Sequence, residues 1–197
     1  RGFRVHALVR SYSKNLPSDV TQILYKYGEL NKDSFRNFDC IIHVAALNPL
    51  AHKYHECSKS DYIFANYLIT KNLAEVAAES GVRRFIFISS AKVNGETSTL
   101  GNMFSVEDMP SPKTFYAETK LMAENSLREV SLVSDLEVVI IRPPAVYGHG
   151  SGGYFGHILK IIKLGMPLPF SSIKNKRSFI GIENFLDFLF LCLLRPK

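Results

Sequence analysis

No apolar run in this sequence reaches the ~18 residues that a membrane span requires. The densest stretch, Phe185 to Leu194, is broken by Asp187 and reads as a buried helix. Cysteine is scarce, and Cys40, Cys57 and Cys192 show neither disulfide density nor metal-ligand spacing. That leaves three free thiols in a reducing compartment and no metal site. Neither an initiator Met nor an apolar signal segment stands at Arg1-Gly2-Phe3-Arg4, so nothing directs the chain to secretion and a cytoplasmic location is expected. A concentrated basic stripe is lacking too. The net charge is +6, but Lys and Arg are dispersed, and the densest group, Lys174-Asn175-Lys176-Arg177, has only three of them. Without a stripe or a nucleic-acid motif, DNA and RNA are not the expected partners. A basic surface does suit an anionic small substrate.

What is present is ordinary for a globular protein. The 197 residues are 46% apolar and 21% charged, enough for one sizeable core. Short apolar runs at Arg4 to Val9, Val20 to Tyr25, Asp39 to Val44, Arg84 to Ser89 and Glu137 to Ile141 read as strands. Between the last three lie two helical patterns. Ile63 to Glu79 is apolar along one face and meets Gly81 where a C-terminal cap belongs; Tyr116 to Val133 follows Pro110 and Pro112. Continuous apolar strands alternating with helices predict an α/β fold, a Rossmann-like doubly wound parallel sheet. After Arg142 the texture changes. Gly148, Gly150, Gly152 and Gly153 form a junction, followed by a helix near Tyr154 to Leu164, short pieces at Leu168 and Phe179, and a last helix from Glu183. Residues 1–148 are therefore expected to form the dinucleotide-binding domain, and residues 149–197 part of a substrate-binding lobe. A fold of this type opens on a strand and a glycine-rich phosphate turn. No G-x-G-x-x-G precedes Arg4, so we expect the first strand and that turn to be missing here.

Chemistry concentrates at Tyr116-Ala117-Glu118-Thr119-Lys120, a Y-x-x-x-K pattern. Residues four apart share a helix face, so phenol and ammonium can enter one pocket. A free phenol titrates near ~10, too high for acid–base work at neutral pH. An ammonium at ~4 Å is worth up to ~4 kcal/mol at an effective dielectric of ~20, which would bring the phenol down. Alone this pattern is common. Its context is more informative, because Ser89 and Ser90 end an apolar strand at the carboxyl edge where ligands of α/β sheets bind. Ser90 precedes Tyr116 by 26 residues, in the next β-α unit. Its hydroxyl can hold a reacting oxygen or merely cap a turn.

These segments, taken in order, resemble an extended short-chain dehydrogenase/reductase of the NAD-dependent epimerase/dehydratase family. The resemblance runs through GFRVHALVRS, FDCIIHVAAL, the helix with Asn66 and Thr70, GVRRFIFISSAKVNGE, YAETK, VVIIRPPAVYGHG and RSFIGIENFLDFL. It implies a catalytic triad of Ser90, Tyr116 and Lys120. It also implies cofactor contacts from His43, Ala45, Ala46, Asn66, Tyr116, Lys120 and Pro143, with Glu29 toward the adenine. On the substrate side it implies Ser90, Asn94 and Arg177, the last toward a sugar-nucleotide diphosphate. The wording of SSAKVNGE, GMPLPF and KNKRSFIGIENF is similar to the 4-epimerases and 4-ketoreductases of bacterial surface-polysaccharide synthesis. Members of the family continue past the position of Lys197, so the substrate lobe is expected to be incomplete, and a homodimer is admitted.

Val9 stands where an NAD enzyme carries an acidic residue, and Arg10 follows. A guanidinium there pairs with a 2′-phosphate, so NADP is favoured over NAD. That preference tips the expected reaction toward NADPH-dependent reduction of a nucleotide-linked 4-keto sugar, with C4 epimerisation close behind. Two alternatives stay open: a reductase of a neutral carbonyl substrate, which would not need Arg177, and a dinucleotide sensor without turnover, which would not need the triad. The polar loop from Gly95 to Phe115 is read as a wall of the sugar site. Its adjacent Glu107 and Asp108 are not set apart as paired catalytic carboxylates would be.

Overall fold

The strand β4 (Arg84–Ile88) is buried along its whole length, and its alternation organises the molecule. The computed structural model describes residues 2–48, 57–98, 103–148, 153–167 and 176–195. Phe85 and Phe87 point to one face of β4. There they meet Leu73, Ala74 and Ala77 of α2 (Ile69–Glu79) and Ala123, Leu127 and Val130 of α3 (Phe115–Leu132). Ile86 and Ile88 point to the other face, against Ile141 and against Phe185 of α5 (Ile182–Leu194). A strand covered on both sides has no solvent face to make polar, which explains the uninterrupted RFIFI. Each such side chain contributes roughly 1.5–3 kcal/mol by burial.

On one side β4 pairs with β3 (Cys40–His43) and on the other with β5 (Glu137–Ile141), both parallel. A second parallel pair is β1 (His6–Val9) with β2 (Thr21–Leu24). Among the described residues β1 has a ladder only to β2, and β3 only to β4. Beyond β5, Pro143 and Pro144 interrupt the strand. The chain then resumes as β6 (Ala145–Tyr147), parallel to β7 (Phe179–Gly181). An added Cβ at Gly148 would lie 2.2 Å from Ile182 Cγ2, so only glycine lets β6 pass so close to the start of α5.

The helix expected from Ile63 begins earlier, because Ser58 and Asp61 form a capping box that starts α1 (Lys59–Tyr62). A π-helical turn, Ile63–Leu68, then leads into α2. The helix ends as expected: Gly81 takes φ +75°, and Val82 N donates to Ala77 O at 3.0 Å. Thr114 caps α3, accepting from Ala117 N, which moves the start to Phe115. α4 (Gly153–Lys163) follows the glycine junction. Gly150, Gly152, Leu168 and Lys174 lie outside the described residues.

α5 departs from the buried helix expected of it. Phe185 is buried, but Leu186, Phe188, Leu191 and Leu194 are exposed. One face lies on the sheet and the other is bare among the described residues. The end of α5 is held by Arg84, whose Nη1 donates to the carbonyls of Cys192 (2.7 Å), Leu193 (3.2 Å) and Arg195 (2.5 Å). A buried guanidinium thus satisfies C-terminal carbonyls that a helix leaves unpaired.

Candidate active site

The site gathers at the carboxyl ends of β3, β4 and β5. Lys120, on the second turn of α3, is 1% exposed. Its Nζ donates to the carbonyl of Ile88 at 2.8 Å and stands 4.4 Å from the centre of the Phe87 ring. Burial lowers the ammonium to a pKa of about 8, and the negative charge of Glu124 opposes that fall. Tyr116 lies one turn earlier on α3 and is partly buried. Here the expected direction is reversed. Burial alone holds the phenol above its ordinary value, with the Lys120 ammonium turned to the Ile88 carbonyl. The phenol is thus protonated at neutral pH in this arrangement.

Ser90 follows β4 and opens the 3₁₀ turn Ala91–Val93, against which α3 packs. Its Oγ accepts from Lys92 N at 3.3 Å, so it does cap a turn, while its own proton stays available to a substrate oxygen. The turn is fixed to β5 through Ser89 N to Ile141 O (2.7 Å) and Ala91 N to Pro143 O (3.0 Å).

A second group of polar side chains runs through the interior from β3 to α3. Thr70 Oγ1 donates to Asn66 O at 2.8 Å, which uses its only proton. His43 Nε2, 2.9 Å away, must therefore donate to Thr70 Oγ1. With Nε2 carrying a proton, the neutral ring leaves Nδ1 without one. Burial, helped by the charge of Lys120, pushes its pKa down to about 3. Asn66, fully buried in the π-helical turn, clasps Leu47 by both backbone groups: Oδ1 from Leu47 N (2.7 Å) and Nδ2 to Leu47 O (3.2 Å). Its Nδ2 also donates to Thr119 Oγ1 (3.1 Å), which donates to Tyr116 O (2.9 Å). The loop with Ala45 and Ala46 is thereby tied to the turn of α3 that carries Tyr116.

Asn94 is buried and largely committed: Oδ1 accepts from Arg142 Nη1 (3.1 Å) and Nδ2 donates to Ser105 O (3.0 Å). The second proton of its amide is left over from these bonds. Arg10 is exposed just past β1, and Glu29 is exposed beyond β2, paired with Lys26 at 3.1 Å. Pro143 follows β5, and Arg177 is exposed just before β7. In the loop, Asp108 accepts from Ser105 N and Glu107 from Ser105 Oγ, so these carboxylates cap a turn. Sequence reasoning missed Thr119, Glu124 and Arg142, and the bond from Ser89 to Glu124. Only Glu124, four residues after Lys120, left a trace in the pattern. Among the described residues no three His, Cys, Asp or Glu side chains converge as metal ligands, and no helix is long and apolar enough to cross a membrane.

Comparison with known proteins gives the family. The NAD dependent epimerase/dehydratase family model matches residues 1–197, and the chain belongs to that family. A UDP-glucose 4-epimerase of Vibrio cholerae is 36% identical over 196 residues, which is 96% of this chain and 60% of the relative. The human sterol-4-alpha-carboxylate 3-dehydrogenase, decarboxylating, is 27% identical over 90% of this chain and 50% of its own length. Among solved structures, MoeE5 in complex with UDP-glucuronic acid and NAD aligns with a TM-score of 0.78 at 26% identity, covering all of this chain and 66% of that one. The chain thus spans half to two thirds of the length of these relatives.

Proposed function

We propose that this chain is the catalytic half of a nicotinamide-dependent enzyme acting at C4 of a UDP-sugar. The observation that carries the reading is that Lys120 reaches the end of β4 from α3, its ammonium bonded to the Ile88 carbonyl two residues before Ser90, with Tyr116 one turn earlier on the same helix. The residues present fit the nicotinamide side of a dinucleotide. The loop with Ala45 and Ala46, pinned by Asn66, runs past the end of β3 beside a buried ammonium able to meet a ribose. When bound, nicotinamide supplies or takes up hydride at the sugar carbon. Ser90 donates a hydrogen bond from its hydroxyl to the oxygen on that carbon and holds it in place, keeping its own proton. Tyr116, protonated and half-buried, gives its proton to the same oxygen in the reducing direction and recovers it in the oxidising one. Arg177 offers its guanidinium to the diphosphate, and Asn94 its remaining amide proton to the sugar.

Epimerisation with a retained cofactor is favoured by the likeness to a UDP-glucose 4-epimerase. Net reduction of a 4-keto sugar by NADPH is the second reading, supported by Arg10 at the end of β1. The full-length protein is to be given UDP-glucose or UDP-N-acetylglucosamine without cofactor, and separately UDP-4-keto-6-deoxy-N-acetylhexosamine with NADPH. Interconversion of C4 epimers without added cofactor supports epimerisation, and stoichiometric NADPH loss supports reduction. Turnover of neither, with turnover of a neutral ketone or with none at all, overturns the UDP-sugar reading. Loss of turnover in Arg177→Ala tests whether a diphosphate is recognised.

A further inference from the structure

One buried carboxylate that accepts four hydrogen bonds belongs to none of the groups given a chemical role above. Glu124, on α3 one turn after Lys120, is fully buried. Its Oε1 accepts from Ser89 Oγ (2.6 Å) at the end of β4 and from Arg142 Nε (2.9 Å) beyond β5. Its Oε2 accepts from Arg142 Nη2 (2.5 Å) and from Arg128 Nη2 (3.1 Å). The same Arg142 donates through Nη1 to Asn94, whose amide holds Ser105 of the loop. An unbroken line of side chains thus runs from the catalytic helix, through one carboxylate, to the proposed wall of the sugar site.

We infer that Glu124 is a positioning residue of the active site: its carboxylate locks α3 to the ends of β4 and β5, supports the Lys120 ammonium, and through Arg142 and Asn94 holds the 103–111 loop over the sugar. This rests on the C4 reading of the site. The geometry exceeds what a structural ion pair needs. Arg142 meets both oxygens of Glu124 through Nε and Nη2, a bidentate pairing that fixes the guanidinium plane, and the plane so fixed aims Nη1 at Asn94. Nor is the charge inert toward Lys120. The ammonium faces Glu124 and Tyr116 on its own helix, neutral His43 from β3 and the Phe87 ring from β4, while Arg142 and Arg128 reach it only through Glu124's carboxylate. Glu124 is the one anion in that set. Burial alone would push its carboxyl up, but bonds from Arg142 and Ser89 and the two guanidinium charges hold it below its ordinary value, so it stays ionised.

The test uses two variants of the full-length protein. Glu124→Gln keeps the volume, but its amide protons must face the donors of Arg142 and Arg128. It should raise KM for the UDP-sugar about tenfold or more, lower the alkaline limb of kcat/KM by about one pH unit, and speed chymotryptic cleavage after Phe104. Glu124→Asp keeps the charge and shortens the reach. It should raise KM and cleavage while leaving the alkaline limb in place. Should the Gln variant fail to fold, the Asp variant still decides, since wild-type KM and cleavage in it overturn the inference. An alkaline limb unmoved by Glu124→Gln also overturns it, because a merely structural pair would change stability and not the limb. Cleavage is read without turnover. A parent inert toward UDP-sugars whose variants are cleaved faster would sink the functional reading and leave the positioning role standing.

Discussion

Lys120 is bonded to Ile88: the ammonium donates to the last carbonyl of β4 at 2.8 Å, in an interior that lowers its pKa from 10.5 to about 8. Two opposite pH responses follow. Catalysis that needs the cation should fall as pH rises through about 8, seen as the alkaline limb of kcat/KM. Stability should move the other way. The folded pKa lies below the unfolded one, so between about 8 and 10.5 the unfolded chain binds more protons and stability rises with pH. A Lys120→Met variant lacks that term, so urea melts should show the wild type gaining on it across this window, by roughly 3 kcal/mol at most. A constant difference between the two would mean that Lys120 titrates normally.

Tyr116→Phe should abolish turnover while cofactor affinity stays within a few-fold. The ring remains in its half-buried place on α3, and only the proton-carrying oxygen is lost. Stopped-flow hydride transfer and cofactor titration measure the two effects separately. Turnover that survives the substitution would remove the phenol from the mechanism.

The strands were legible because each is an apolar run short enough to cross one sheet. β5 was read to the residue and β4 to within one. Tyr116 and Lys120 were singled out by a pattern local in sequence, and Ser90 by its place at the end of an apolar strand. The bonds that tie the helix of Tyr116 and Lys120 to the rest of the fold were not. Ser89 meets Glu124 across 35 positions and Asn66 meets Thr119 across 53, separations set only by the tertiary fold. The π-helical turn was also invisible, since its apolar spacing fits an ordinary helix. α5 reads as a core helix on hydropathy, yet one face stays exposed, because hydropathy counts apolar residues and says nothing of which neighbours cover them.

The relay from His43 to Tyr116 predicts a graded response. Thr119→Val removes the acceptor of Asn66 Nδ2 and the donor to Tyr116 O, and should cost roughly 1–3 kcal/mol by urea melt, with cofactor affinity falling as the Leu47 loop loosens. Thr119→Ser keeps the hydroxyl and should restore most of both. Equal damage from Ser and Val would assign the effect to the methyl group and its packing. His43 adds an acid signature. Its folded pKa of about 3 lies below the unfolded 6.5, so the unfolded chain takes up the proton first and stability falls as pH drops below 6.5. His43→Gln should flatten that slope.

Arg10 carries the last prediction. It is exposed immediately after β1, and Val9 precedes it where an acidic residue would repel a 2′-phosphate and hold the ribose hydroxyls of NAD. With no acid there and a guanidinium beside it, NADP(H) should bind more tightly than NAD(H) to the full-length protein. Arg10→Ala should then weaken NADPH by roughly 1–3 kcal/mol, the worth of a charge-assisted hydrogen bond, and NADH much less. Raising salt should erode the NADPH preference in the parent and leave the variant unchanged, since an exposed ion pair is screened. MoeE5 was solved with NAD, so the comparison has a clear opposing outcome. Tighter NADH binding in the parent, or equal losses for both cofactors in Arg10→Ala, would make Arg10 an ordinary surface cation. It would also remove the argument for net reduction, leaving epimerisation with a retained cofactor.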